Sequence, residues 1–240
     1  MAPANRYRII ASSTLVRRGL PTAALRRAGP AAARHVRRQI AGAPATFCYL
    51  AVLCATTGVL AWMGHKSGSG VVLYASSNLR RLTSDPSEAL FSSAFWLASG
   101  FRELAMWGLL FPLVLAPVER RLGTRRTIST FAIGHMGATL IVQAIVGTAI
   151  WLRLAASRWE NAPDVGASYG FITVAGVLFA LVPKRWRAVY AMALVGWIVL
   201  ISHVTDPDFT TFGHGIALVI GLLAARSLRR HLEAAAAPAT

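Results

Sequence analysis

The sequence predicts an all-α polytopic membrane protein built as a bundle of six transmembrane helices, and three observations carry that prediction. Hydrophobic residues make up 55% of the 240 positions and charged residues only 14%, a balance far outside that of a water-soluble domain. The apolar residues fall in blocks close to the roughly 20 residues that a helix needs to cross a hydrocarbon core. The third observation is charge: Lys and Arg total 25 against nine acids, and the excess is distributed by side of the membrane rather than gathered into a nucleic-acid-binding patch.

The six spans run near residues 45–63, 95–118, 128–152, 165–182, 188–204 and 210–225. Joined in order, they leave residues 1–44, 119–126, 184–187 and the tail 226–240 on one side, with 19 of the 25 basic residues, and five on the other. The positive-inside rule then puts both termini in the cytoplasm and the chain in the cell membrane. Three segments follow: a tail over 1–44, a membrane domain over 45–225 and a short tail over 226–240. The first tail holds nine arginines, no acid and four prolines, a composition that cannot bury a core and is attracted to anionic lipid headgroups. A mitochondrial transit peptide shares that composition and stays open as an alternative.

Cys48 and Cys54 share the first span but stand on different faces, so they are packing residues rather than a disulfide. Residues 64–70, Gly-His-Lys-Ser-Gly-Ser-Gly, lack the order of a phosphate loop and are expected to form a flexible outer loop. No zinc-type spacing and no cofactor motif occurs, so neither a metal nor a cofactor is expected.

The chemistry-bearing strings are Gly166-Ala167-Ser168-Tyr169-Gly170 in the fourth span and Gly213-His214-Gly215 in the sixth. At about 1.5 Å per helical residue, Ser168 stands about 24 Å above Lys184 and His214 about 18 Å above Arg226, both in the outer half of the bilayer. A hydroxyl and an imidazole at one depth suit nucleophilic catalysis, the base removing the proton of the attacking oxygen. The bland alternative is a helix-to-helix hydrogen bond, worth roughly 0.6 kcal/mol. His135 lies lower and reads as a packing residue, His35 and His231 lie in the tails and His65 in an outer loop. His203 has the same depth as Ser168 and competes for the role of base. Gly213, Gly215 and Gly221 favour His214, because small residues let its helix approach another closely.

These strings, with Glu119-Arg120-Arg121-Leu122-Gly123-Thr124-Arg125-Arg126 after the second span, resemble the rhomboid superfamily in order, topology and spacing. The likeness covers about residues 45–225, and the chain is most similar to the rhomboid-like membrane proteins of actinobacteria. The resemblance implies a six-helix rhomboid-like bundle that cleaves transmembrane substrates with a Ser168–His214 dyad and needs neither metal nor a third acid. It implies equally an inactive relative, a pseudoprotease that binds transmembrane client proteins.

Four positions depart from the family pattern. The His-x-x-x-Asn that supplies oxyanion donors on the second helix is replaced by Glu103 and Trp107, Tyr169 interrupts the usual Gly-x-Ser-Gly, and Ile172 stands where an aromatic residue packs beside the histidine. Arg102 and Glu103 lie in the layer of Ser168, which makes Arg102 a candidate replacement donor for the oxyanion, with Gly166 and Tyr169 lining the site. The alternative for Arg102 is a charge that marks the helix end and snorkels to the interface. Glu119, Arg120 and Gly123 are expected to anchor the helix ends on the cytoplasmic side, and Gly221 to permit close helix packing.

Overall fold

A computed structural model describes residues 34, 36–204 and 209–236. Most of the basic tail, Asp206 and Asp208, the last four residues and the side chains of His65, His203 and His231 lie outside the described residues. Ile40–Thr240 is one unit distinct from Met1–Gln39, and the elements below belong to it. Among the described residues there is no strand.

Helix α1, Pro44–Ala75, begins on proline, whose missing N–H costs nothing in a first turn. Glu119 caps that turn from the end of another helix. Its carboxylate accepts the N–H groups of Ala45 and Thr46, both at 2.9 Å, and the Thr46 hydroxyl at 2.7 Å. The helix breaks at Gly64, where φ of 74° suits a residue without a β-carbon, and then resumes to Ala75. The stretch 64–70 is therefore not the loop its glycines and serines suggested. Only Gly64 leaves helical geometry, and a β-carbon at Gly68 would lie 3.4 Å from the Leu60 carbonyl oxygen, so the second half turns back against the first.

Two short helices follow, α2 (Leu79–Ser84), capped by Asn78 Oδ1 on the Arg81 N–H at 3.0 Å, and α3 (Pro86–Ser92). A 3-10 turn over Ser93–Phe95 leads to extended backbone at Trp96. The second span consequently begins later than its hydropathy indicated: Gly100 (φ 60°) separates the turn from α4, Phe101–Leu122. Gly123, at φ 84°, reverses the chain within one residue into α5, Thr124–Trp151. Helices α6 (Ser168–Leu181), α7 (Arg187–Val204) and α8 (Phe209–Ala236) complete the described chain.

Pro44–Gly64, Phe101–Leu122, Thr124–Trp151 and Phe209–Leu228 are long and apolar enough to cross a membrane, and the chain is an integral membrane protein. Trp62 and Trp151, 87% and 80% exposed, stand where the first and third of these end, as interfacial aromatics do. Cys48 and Cys54 are exposed on α1, not packed inside the bundle.

Helix α6 has only 14 residues, about 21 Å of rise against a hydrocarbon core of roughly 30 Å. It can be short because lipid does not surround it: every residue from Tyr169 to Leu178 is buried by its neighbours. Small residues let those neighbours close in. A β-carbon at Gly221 of α8 would collide with the Thr173 carbonyl, and one at Gly134 of α5 with the Thr173 side chain. The Thr173 hydroxyl in turn donates to the Ala217 carbonyl at 2.9 Å. Below Ser168 an aromatic cluster of Trp107, Phe111, Phe171 and Trp197 fills the space between α4, α6 and α7.

Candidate active site

Because α6 is short, its first residue lies within the bundle. That residue is Ser168, presented by a turn in which Gly166 takes φ of 124° and donates its N–H to the Ser93 carbonyl at 2.8 Å. Few residues other than glycine hold such a φ without strain. Across from it, α8 carries His214, which is buried, and His214 Nε2 stands 3.0 Å from Ser168 Oγ. Which of the two atoms donates depends on the imidazole tautomer. The competing His203 side chain lies outside the described residues.

Tyr169 occupies the other side of the imidazole, its ring 5.5 Å from that of His214 and 70° to it. The contact needs Gly213, since a β-carbon there would lie 2.5 Å from the Tyr169 ring. Two of the sequence departures thereby become one adjustment. Ile172 is buried without an aromatic ring to offer, and Tyr169, one helical turn earlier, supplies the ring beside the histidine. Gly215, expected to share in the close approach, has open space around it.

Glu103 and Trp107 are also a pair. Glu103 Oε1 accepts the Trp107 indole N–H at 3.2 Å, Oε2 accepts the Ser99 N–H at 3.1 Å, and Oε1 lies 3.4 Å from where a Gly166 β-carbon would be. The second-helix place beside the serine turn thus holds an acceptor that consumes a donor, where the family pattern has two donors. Arg102 does not take that place. Neighbouring positions on a helix point about 100° apart, so turning Glu103 toward Gly166 leaves the Arg102 side chain exposed and outside the hydrogen bonds around Ser168.

Among the anchoring residues, Glu119 also accepts the Thr124 hydroxyl at 2.8 Å, so one carboxylate ties the start of α1 to both sides of the Gly123 turn. Arg121 donates to the Leu181 carbonyl at 2.9 Å and closes the C-terminal end of α6. Arg120, placed with Glu119 on the sequence, sits in the last turn of α4.

Composition could not single out Asp164. It is buried, accepts the Gln143 side-chain N–H at 3.1 Å, donates its own N–H to Ser76 Oγ at 2.8 Å and receives the Ser77 N–H on its carbonyl at 2.9 Å. In the sequence it resembles Asp85 and Glu88, which are exposed, and only its distant partners distinguish it. His135 and Ser93 are likewise brought together, Ser93 Oγ lying 3.1 Å from His135 Nε2.

The profile of the Rhomboid-like protein family matches residues 38–235. No curated protein and no solved structure matches the chain. The family match takes in every span and both strings that carry Ser168 and His214, and the chain belongs to the Rhomboid-like protein family.

Proposed function

We propose that this chain is an intramembrane serine endopeptidase, and the 3.0 Å approach of Ser168 Oγ to His214 Nε2 is the observation that carries the reading. In this mechanism Nε2 takes the hydroxyl proton as Oγ attacks a peptide carbonyl carbon, and the imidazolium then gives that proton to the departing amine. Water, deprotonated by the same imidazole, hydrolyses the acyl-enzyme and frees Ser168. The oxyanion is held by N–H groups in the first turn of α6, which have no acceptor within the helix and no side-chain cap from Ala167. The positive end of the helix dipole points the same way.

The substrate is a membrane-spanning segment whose helix is weakened near its outer end, because a regular helix shields its carbonyls. The chain sits in the cell membrane with both termini cytoplasmic, where its basic tail lies against anionic lipid. A second reading, a pseudoprotease that binds transmembrane clients, is favoured by the Glu103–Trp107 pair in the place of the oxyanion donors.

A fluorophosphonate probe applied to membranes separates the two. Labelling of the wild type that is lost in Ser168→Ala and in His214→Ala supports the protease. An unlabelled but folded wild type supports the client-binding reading, and loss with His203→Ala alone assigns the base to His203.

A further inference from the structure

We infer that Ser93 and His135 form a positioning pair that holds the Ser168 turn and the His214 ring in register, an inference that rests on the dyad reading above. His135, mid-way along α5, is 4% exposed and Ser93 0%, so neither is a surface residue that happens to touch the other. Ser93 uses both of its polar ends. Its hydroxyl meets His135 Nε2 at 3.1 Å and lies 3.4 Å from the Leu90 carbonyl, while its own carbonyl receives the Gly166 N–H at 2.8 Å.

The Nε2–H tautomer satisfies this set in one direction. Nε2–H donates to Ser93 Oγ, the hydroxyl donates to Leu90, and each donor in such a chain strengthens the next. Gly166 is the residue of the turn whose backbone angle calls for glycine, two positions before Ser168, and its N–H is anchored by the residue that His135 holds. Glycine has more backbone freedom than any other residue, so the turn keeps φ of 124° through the hydrogen bond that its neighbours supply.

His135 reaches the dyad by a second route. Its ring lies 6.4 Å from the Tyr169 ring, centroid to centroid, and Tyr169 packs edge-on against His214 at 5.5 Å. One imidazole on α5 therefore abuts what sets the nucleophile and what sets the base. It touches neither reacting atom, so its role is to position, and its removal should slow the chemical step without weakening binding.

The test is the rate of fluorophosphonate labelling against probe concentration, for the full chain in membranes, in wild type, His135→Leu, His135→Gln, Ser93→Ala and the double variant Ser93→Ala/His135→Leu. Leu keeps the apolar volume and removes the donor; Gln keeps an N–H near the place of Nε2. A misplacement of about 1 Å costs up to roughly 100-fold, so His135→Leu should lower the saturating rate about 10- to 100-fold and leave the half-saturating concentration unchanged. His135→Gln should recover most of that loss, and the double variant should fall no further than the worse single one, because the two residues act as one unit. In the same samples, backbone hydrogen exchange over residues 163–170 should quicken in His135→Leu and Ser93→Ala and return toward wild type in His135→Gln.

Labelling of His135→Leu at the wild-type rate, or multiplied losses in the double variant, overturns the inference. A wild type that never labels defeats the dyad reading and with it the catalytic half of this one. Unchanged exchange in that case defeats the structural half as well.

Discussion

The two glycines that flank His214 give the sharpest prediction, because the sequence makes them equivalent and the structure does not. A β-carbon at Gly213 would lie 2.5 Å from two ring carbons and the hydroxyl oxygen of Tyr169, whereas one at Gly215 meets nothing within 4 Å. Ordinary contact begins near 3.4 Å, so Gly213→Ala requires a displacement of 3.4 − 2.5, about 0.9 Å. The ring cannot swing away freely, since it is 3% exposed and lies between His214 and His135. The displacement must pass to α8, and with it to His214 and its 3.0 Å approach to Ser168. Misplacement of about that size costs on the order of 100-fold in the reacting geometry, while Gly215→Ala should stay within about 2-fold of wild type. The assay is the fluorophosphonate labelling rate per folded protein, with Gly213→Ala/Tyr169→Leu as relief, since the smaller side chain frees the space. Equal rates in Gly213→Ala, Gly215→Ala and wild type would refute the claim that Tyr169 sets the position of the base.

Other substitutions read other parts of the structure. Glu119→Ala leaves the buried Thr46 amide and hydroxyl, and the half-buried Ala45 amide and Thr124 hydroxyl, without their acceptor, and at about 1–3 kcal/mol for each buried group a loss of about 3 kcal/mol is a conservative sum. Thermal unfolding in detergent should then shift down by about 6–12 °C; a melting temperature within a degree of wild type contradicts the capping role. Arg102→Leu should label and cleave at the wild-type rate, and a loss of 10-fold or more in a folded protein would restore the guanidinium to the site. Glu103→Gln puts an amide donor where the carboxylate now accepts, so turnover should rise or hold, and a fall would show that the carboxylate itself is needed. A reporter fused after Thr240 should be active only on the cytoplasmic side, and activity on the outer side alone would invert the topology.

Some of this protein is written in one dimension and was legible there. Whether a segment enters a membrane depends on its own length and apolarity, so it needs no knowledge of a partner. The Ser168 and His214 strings were visible for a similar reason: each is a local run of glycines around one polar residue, and helical rise alone gives its depth. Where the backbone breaks was less legible. Gly64, Gly100 and Gly123 all adopt positive φ, while glycines at 58, 68 and 70 stay within helix, and nothing in their neighbours told the two groups apart.

Contacts between distant residues were decided by tertiary structure alone. Glu119 finds the start of α1 more than 70 positions away, Asp164 finds Ser76 across 88, and Ser93 meets His135 across 42. Depth counting set Arg102 and Glu103 in one layer but could not say which faces Gly166, because that depends on the helix's rotation about its axis, fixed by Trp107, Phe111 and the aromatic core beneath. Tyr169 looked like an interruption of the serine motif because its partner is Gly213, 44 residues on, whose missing side chain makes room for the ring. A sequence states which side chains are available; the space that one leaves for another exists only once the helices have packed.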